Sequence, residues 1–336
     1  MGGARLILYG PPIRWYNQEI ERGREMTAKI QTFRLEEAKS REVKSTRGRG
    51  VDGVGSPDLN VVQFPIDTGI PEINLRFGYD QIGDGFFTPR HHHNFDQFRY
   101  VVSGEMNLAK GMDLNESECA YFPEGTYYGP LTQKGPAALL VMQFPGPNGA
   151  YRIRDSEKKV AMDQLKAAGG FFEDGIYKLH TPDGRKINKD SYEAVWEHHM
   201  GRPIAYAAQR YSTPIVMRPK GFRWMPDPRR PGVEVKHLGA FNEYRTSAAL
   251  WRIAPGTVIA SEVLSAPQVR CVVSGGTIYE GRVLDNKACY YIPEGLPTSP
   301  IESPGGAELL VITVPMYARA TWEKAKRERP SAPDLS

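Results

Sequence analysis

The sequence predicts an all-β chain: two small jelly-roll barrels in tandem, joined by a partly helical connector. The chain has 336 residues, enough for two domains that each bury a core of their own. Short runs rich in Val, Ile, Tyr and Phe are bounded by Gly, Pro, Asn and Asp, the pattern of antiparallel strands closed into a sandwich or barrel. The chain also repeats itself at a shift of about 170 residues. Residues 97–104, QFRYVVSG, meet 268–275, QVRCVVSG; residues 119–125, CAYFPEG, meet 289–295, CYYIPEG. Gly85 meets Gly256, and residues 137–141 meet 307–311. Such self-similarity implies one fold used twice.

Taken in order, residues 1–50 form an N-terminal extension, in which the more ordinary sequence after Met26 suggests that translation starts there. Residues 51–154 make the first barrel. The connector, 155–235, opens with a helix capped by Asp155 or Ser156, running through Ala168 and ended by Gly169. Thr181-Pro182-Asp183-Gly184 reads as a turn between short strands. Asp190 or Ser191 starts a second helix with Tyr192, Val195, Trp196 and His199 on one stripe, stopped by Gly201 and Pro203. The Pro- and Arg-rich stretch 214–231 carries Phe222, Trp224 and Met225 and reads as a loop laid across a domain face. The second barrel follows at 236–316, then a short charged helix at 318–327 and a Pro-rich tail within 317–336.

Formal charge is +4, with basic residues spread among acidic neighbours, so no nucleic-acid partner is implied. Cys119, Cys271 and Cys289 are odd in number and sit in or beside apolar strand-like runs, which argues for reduced buried thiols and a cytoplasmic address. No apolar run is long enough to predict a membrane span, and the N-terminus lacks the pattern of a secretory signal. Phosphate loops, nucleophile elbows, zinc-protease helices and paired C-x-x-C motifs are absent from the sequence.

The chemistry concentrates in residues 85–104, GFFTPRHHHNFDQFRYVVSG. His91 and His93, two apart in a β context, leave the backbone on one face, with His92 opposite. Neutral imidazoles are good ligands for divalent first-row metals. Gln97 and Arg99 follow at the same parity, and a guanidinium suits two-point contact with a carboxylate. The spacing of Gly85, His91, His93, Gln97 and Gly104, followed by Pro123-Glu124-Gly125-Thr126-Tyr127-Tyr128, resembles the two motifs of the cupin superfamily. Gln97 stands where that family usually has Glu, and Tyr128 where it has its third His.

The resemblance implies a two-barrel cupin, a bicupin, with a metal at His91, His93 and Gln97, and with Tyr128 and Arg99 as catalytic candidates. It implies a divalent ion, Fe(II) first among them, a dioxygenase-like oxidoreductase acting on a small aromatic or carboxylate-bearing substrate, and a homo-oligomer. Arg90, Phe87 and Tyr121 are the expected substrate contacts. Two departures soften the donor set, so two alternatives stay open: a metal-independent binder, isomerase or lyase, and a non-catalytic assembly protein. The second copy carries Glu262, Leu264, Gln268 and Thr298 at the ligand positions, which predicts a scaffold without the metal site. The His198–His199 pair is expected at a helix-end surface.

Overall fold

A computed structural model describes residues 29–42, 59–68, 75–148 and 150–314. Met26 and the expected helix at 318–327 lie outside these residues. Two antiparallel sheets dominate, one per barrel, of eight and seven strands.

In the first barrel the long strand Phe95–Ala109 pairs with Cys119–Phe122 on one side and Ala137–Pro145 on the other, and Arg76–Ile82 pairs with the latter's far edge. In the second, Gln268–Gly275 pairs with Cys289–Ile292 and Ala307–Thr313, which in turn pairs with Ser247–Ile253. Repeated sequence gives repeated backbone bonds: Tyr128 N–H donates to His91 O at 2.9 Å, and Thr298 N–H donates to Glu262 O at 2.9 Å. Gly104 and Gly275 share positive φ, 79° and 69°, and a Cβ at either would strike a neighbouring carbonyl. Only glycine meets both conditions without strain.

Strand parity decides what each side chain meets. Phe77, Tyr79, Phe98, Tyr100, Cys119, Tyr121, Leu140 and Met142 face outward from the first barrel and pack on Leu238, Phe241, Leu250, Val269, Cys271, Cys289 and Leu310 of the second. The three thiols are free and buried in this shared core. Residues of the opposite parity, including Ile82, Val101, Ala120, Phe122, Leu139 and Val141, fill the first barrel's interior. Val235, Trp251, Val272, Tyr290 and Leu309 fill the second's.

The chain's arms cross between the barrels. Gln31–Phe33, N-terminal to the first barrel, adds to the second barrel's sheet through Cys289–Ile292. Ile215–Met217, in the connector, adds to the first barrel's sheet through Cys119–Phe122. The 214–231 stretch read as loop therefore contains a paired strand, while Phe222 and Trp224 pack on the shared core.

Helix α1 spans Asp155–Ala167 and α2 spans Ser191–Met200. Asp190 caps α2 by accepting from Tyr192 N and Glu193 N, and Gly201 ends it at φ 64°. Tyr192, Val195 and Trp196 join Phe95, Tyr151, Leu165 and Phe172 in a connector core that anchors α1 beside the barrel. His199 is only half-buried, and His198 bonds Gln164 at the surface.

Candidate active site in the first barrel

A cavity of about 500 Å³ opens in the first barrel beneath α1. His91, His93, Gln97, Arg99 and Tyr128 line it, with Phe86, Ile82, Leu131 and Val141 as apolar wall. Such a space, mostly apolar with a few convergent polar groups, is the usual form of a small-molecule site.

Tyr128 is the hub. Its hydroxyl lies 2.9 Å from His93 Nε2, accepts from Arg99 at 3.2 Å and lies 3.5 Å from the Gln97 amide nitrogen. A phenol that gives its proton to His93 Nε2 leaves two lone pairs, which suit the other two donors. His91 packs on the Tyr128 ring with centroids 4.3 Å apart, and its Nδ1 lies 2.7 Å from Pro89 O. A backbone carbonyl on Nδ1 fixes the tautomer that leaves Nε2 able to accept or ligate. The His91 and His93 rings stand edge to face with centroids 5.1 Å apart.

Gln97 and Arg99 leave the strand on the same side and meet at their ends. Arg152 gives two hydrogen bonds to Gln143 Oε1, at 3.1 and 2.9 Å, so Gln143 turns its nitrogen toward Gln97 Oε1 at 2.8 Å. Turning the Gln97 amide would let its oxygen accept from Arg99 Nε and Nη2, both at 3.0 Å, but would set nitrogen against nitrogen at Gln143. One amide oxygen faces two sets of donors, and the site is short of acceptors. Among the described residues no carboxylate lies within ion-pair distance of Arg99, which is buried and stacked over Phe122 at 4.7 Å.

The second barrel resolves the same problem internally. Arg270, at the Arg99 position, donates to Gln268 Oε1 at 3.0 and 2.8 Å and to Glu262 at 2.6 Å. Arg230 holds the other Glu262 oxygen at 2.5 Å, and both guanidiniums stack on Trp251 at 4.3 and 4.5 Å. Burial pushes the Glu262 carboxyl up, but the fields of Arg270 and Arg230 outweigh it and hold the group below its ordinary value. Leu264 and Thr298 are buried at the remaining ligand positions.

Three residues expected as substrate contacts do not line this cavity. Tyr121 has the parity of Phe98, so it points into the shared core, hydrogen-bonds Asp96 and stacks on Phe241 at 4.4 Å. Phe87 is outside the cavity, because Phe86 is the residue whose side chain turns inward. Arg90 is exposed and lies over the Tyr127 ring at 4.5 Å. His92 also points away, stacked between Tyr127 and Tyr206 with centroids 3.9 and 3.5 Å away. Sequence reasoning missed Arg76, Asp80, Gln143 and Lys158, all of which line the cavity. Register places Gln143 opposite Gln97 and Arg76 opposite Gln143, and Asp80 shares the parity of Arg76; nothing local signalled Lys158, which arrives from the connector.

No family model and no curated protein matches the chain. Solved structures do. A candidate dioxygenase from Nostoc punctiforme matches with a TM-score of 0.56 at 12% identity, covering 86% of this chain and 84% of that one. Salicylate 1,2-dioxygenase from Pseudoaminobacter salicylatoxidans, solved with gentisate, matches at 0.51 and 13% over 92% and 86%. Streptomyces albus HEPD, solved with 2-hydroxyethylphosphonate and Fe(II), matches at 0.51 and 14% over 91% and 80%. At such identity the likeness is one of fold. With the two barrels described above, it shows the all-β, double jelly-roll fold.

Proposed function

We propose that the chain is an enzyme working in the first barrel on a small organic anion, with a divalent metal, Fe(II) first among them, held by His91 and His93. The carrying observation is the convergence of two imidazoles, a phenol, an amide and a buried guanidinium in a cavity of about 500 Å³. The duplicated positions of the second barrel are instead tied up in internal ion pairs.

The donor chemistry suits such an ion. Two neutral imidazoles are good first-row ligands, and Tyr128 or Gln97 supplies oxygen. His93 Nε2 and Tyr128 Oη are 2.9 Å apart, close to the ~3 Å between neighbouring donors that each sit about 2.1 Å from one small ion. Among the described residues no third His, Cys, Asp or Glu joins the pair, so an ion there would keep its positive charge and be held less tightly than by a carboxylate set. When bound, it supplies Lewis-acid or redox activation of the substrate or of O2. Arg99 binds the substrate's anionic group. The apolar wall keeps water from the reacting atoms.

One observation favours a second, metal-free reading: Tyr128 already hydrogen-bonds the His93 nitrogen that would ligate. There the Tyr128–His93 pair moves a proton on and off the substrate while Arg99 holds its carboxylate. Elemental analysis of untagged protein, with and without the His91→Ala plus His93→Ala changes, separates the two. About one equivalent of metal that disappears in the double variant supports the metalloenzyme. Metal-free wild-type protein that binds or turns over small carboxylates unchanged in EDTA overturns it in favour of the Tyr128–His93 pair.

A further inference from the structure

The cavity that Arg99 floors has a second cation at its rim. Lys158 of α1 lines the same space, with Phe86, Ile82, Leu131 and Val141 forming apolar wall. Its ammonium carries three N–H groups and gives one to Asp155 Oδ1 at 3.3 Å. Lys158 Nζ lies 5.8 Å from the centre of the Tyr192 ring, which meets the His93 ring edge to face at 5.4 Å. The rim is thus connected to the imidazoles through one aromatic side chain.

Charged groups gather at that rim. Arg76, Arg152 and Lys158 interact with two carboxylates, Asp80 and Asp155. Burial pushes Asp155 up, but Lys158, Arg152 and Arg76 outweigh it and hold its carboxyl well below the usual range. Burial pulls Lys158 down to about 8, Asp155 offsetting this only in part. The lysine is still mostly ammonium at neutral pH.

The second barrel indicates what the floor cation accepts. Arg270, the counterpart of Arg99, takes the Glu262 carboxylate at 2.6 Å from the position that corresponds to His91. The guanidinium of this fold, when it finds its partner inside the chain, finds a carboxylate. The first barrel has a histidine there and open volume, which leaves room for a carboxylate from outside.

We propose that the first cavity takes a two-headed anion: one carboxylate against Arg99, a second anionic group against Lys158, and an apolar spacer between them. This rests on reading the cavity as the substrate site and adds the class of ligand it selects. Arg99 sets the orientation of the planar head through its fork of donors, and Lys158 adds a point charge that tolerates varied geometry.

The test uses the full chain and linear dicarboxylates from succinate to sebacate, each beside its monomethyl ester, with binding measured by titration calorimetry. At the length that fits, the dianion is expected to bind about tenfold tighter than its monoester, the size of one charge-assisted contact. That ratio falls to near one in Lys158→Met and recovers in Lys158→Arg, with both variants checked for wild-type melting. Equal affinity for dianion and monoester in the wild type, or a ratio that persists in Lys158→Met, overturns the two-headed ligand. If the monoesters bind and lose affinity in Arg99→Met, the substrate-site reading survives that failure. If no carboxylate binds the wild type at any length, both fall together.

Discussion

Replacing Glu262 by Ala tests the relation between the two barrels most directly. Arg270 is fully buried and Arg230 nearly so, and Glu262 is the carboxylate both of them hold, at 2.6 and 2.5 Å. Removing one side of a buried ion pair typically costs about 3–5 kcal/mol, because the remaining charge is left without compensation. Glu262 is about a fifth exposed, so water can enter the gap, and Gln268 still accepts from Arg270. The lower end, about 3 kcal/mol, is the expected loss. Urea unfolding followed by tryptophan fluorescence reads it, Trp251 lying against both guanidiniums. The truncation also leaves a carboxylate-sized space, so acetate should partly restore the variant. At about ten times its dissociation constant it returns ~1.4 kcal/mol, while the wild type responds no more than it does to chloride at equal ionic strength. A loss below about 1 kcal/mol, or the same acetate response in both proteins, would refute the view that Glu262 serves as a built-in ligand.

Asp96 should shape the pH dependence of stability. Burial pushes its carboxyl up to about 7, against the hydrogen bonds from Tyr121 and Glu124 N, whereas the unfolded group releases its proton near 3.8. Between those limits the folded state holds more protons, so stability falls as pH rises, by up to ~4 kcal/mol. Asp96→Asn should flatten that slope, and parallel slopes in variant and wild type would count against it. Gly104→Ala places a Cβ against the Pro136 carbonyl at positive φ; a loss of about 2 kcal/mol or more is expected in thermal melts, and a neutral result would show that the turn relaxes freely. Tyr128→Phe keeps the ring contacts to His91 and Phe122 but removes the acceptor for Arg99, lowering stability by about 1–3 kcal/mol. Chemical denaturation checks this, and an unchanged midpoint would mean that the Arg99–Tyr128 bond adds nothing.

The barrels were legible because a duplicated sequence must satisfy one backbone twice. Gly104 and Gly275 mark the same close approach to a carbonyl, and the two PEG turns align beside them. The inward group His91, His93, Gln97 and Arg99 followed from period-two alternation. Tyr121 was misplaced because alternation alone does not say which face of a strand is the interior. The neighbouring strand's register does: Tyr121 pairs with Phe98, not with Arg99. Lys158 and the crossing strands were not readable, since they depend on where the connector and the N-terminal segment fold back. Such long-range contacts leave no periodic trace. Glu262 was noted as a lost ligand, yet its partner Arg230 lies 32 residues away in sequence, and only the fold shows that the loss became an ion-pair network.

The exchanged arms also tie the two barrels to each other. Gln31–Phe33 completes the second barrel's sheet from before the first, and Ile215–Met217 completes the first barrel's sheet from beyond it. Cutting the chain between the modules would strip an edge strand from each and expose the apolar face they share. The duplication has become indivisible: each half closes an edge of the other.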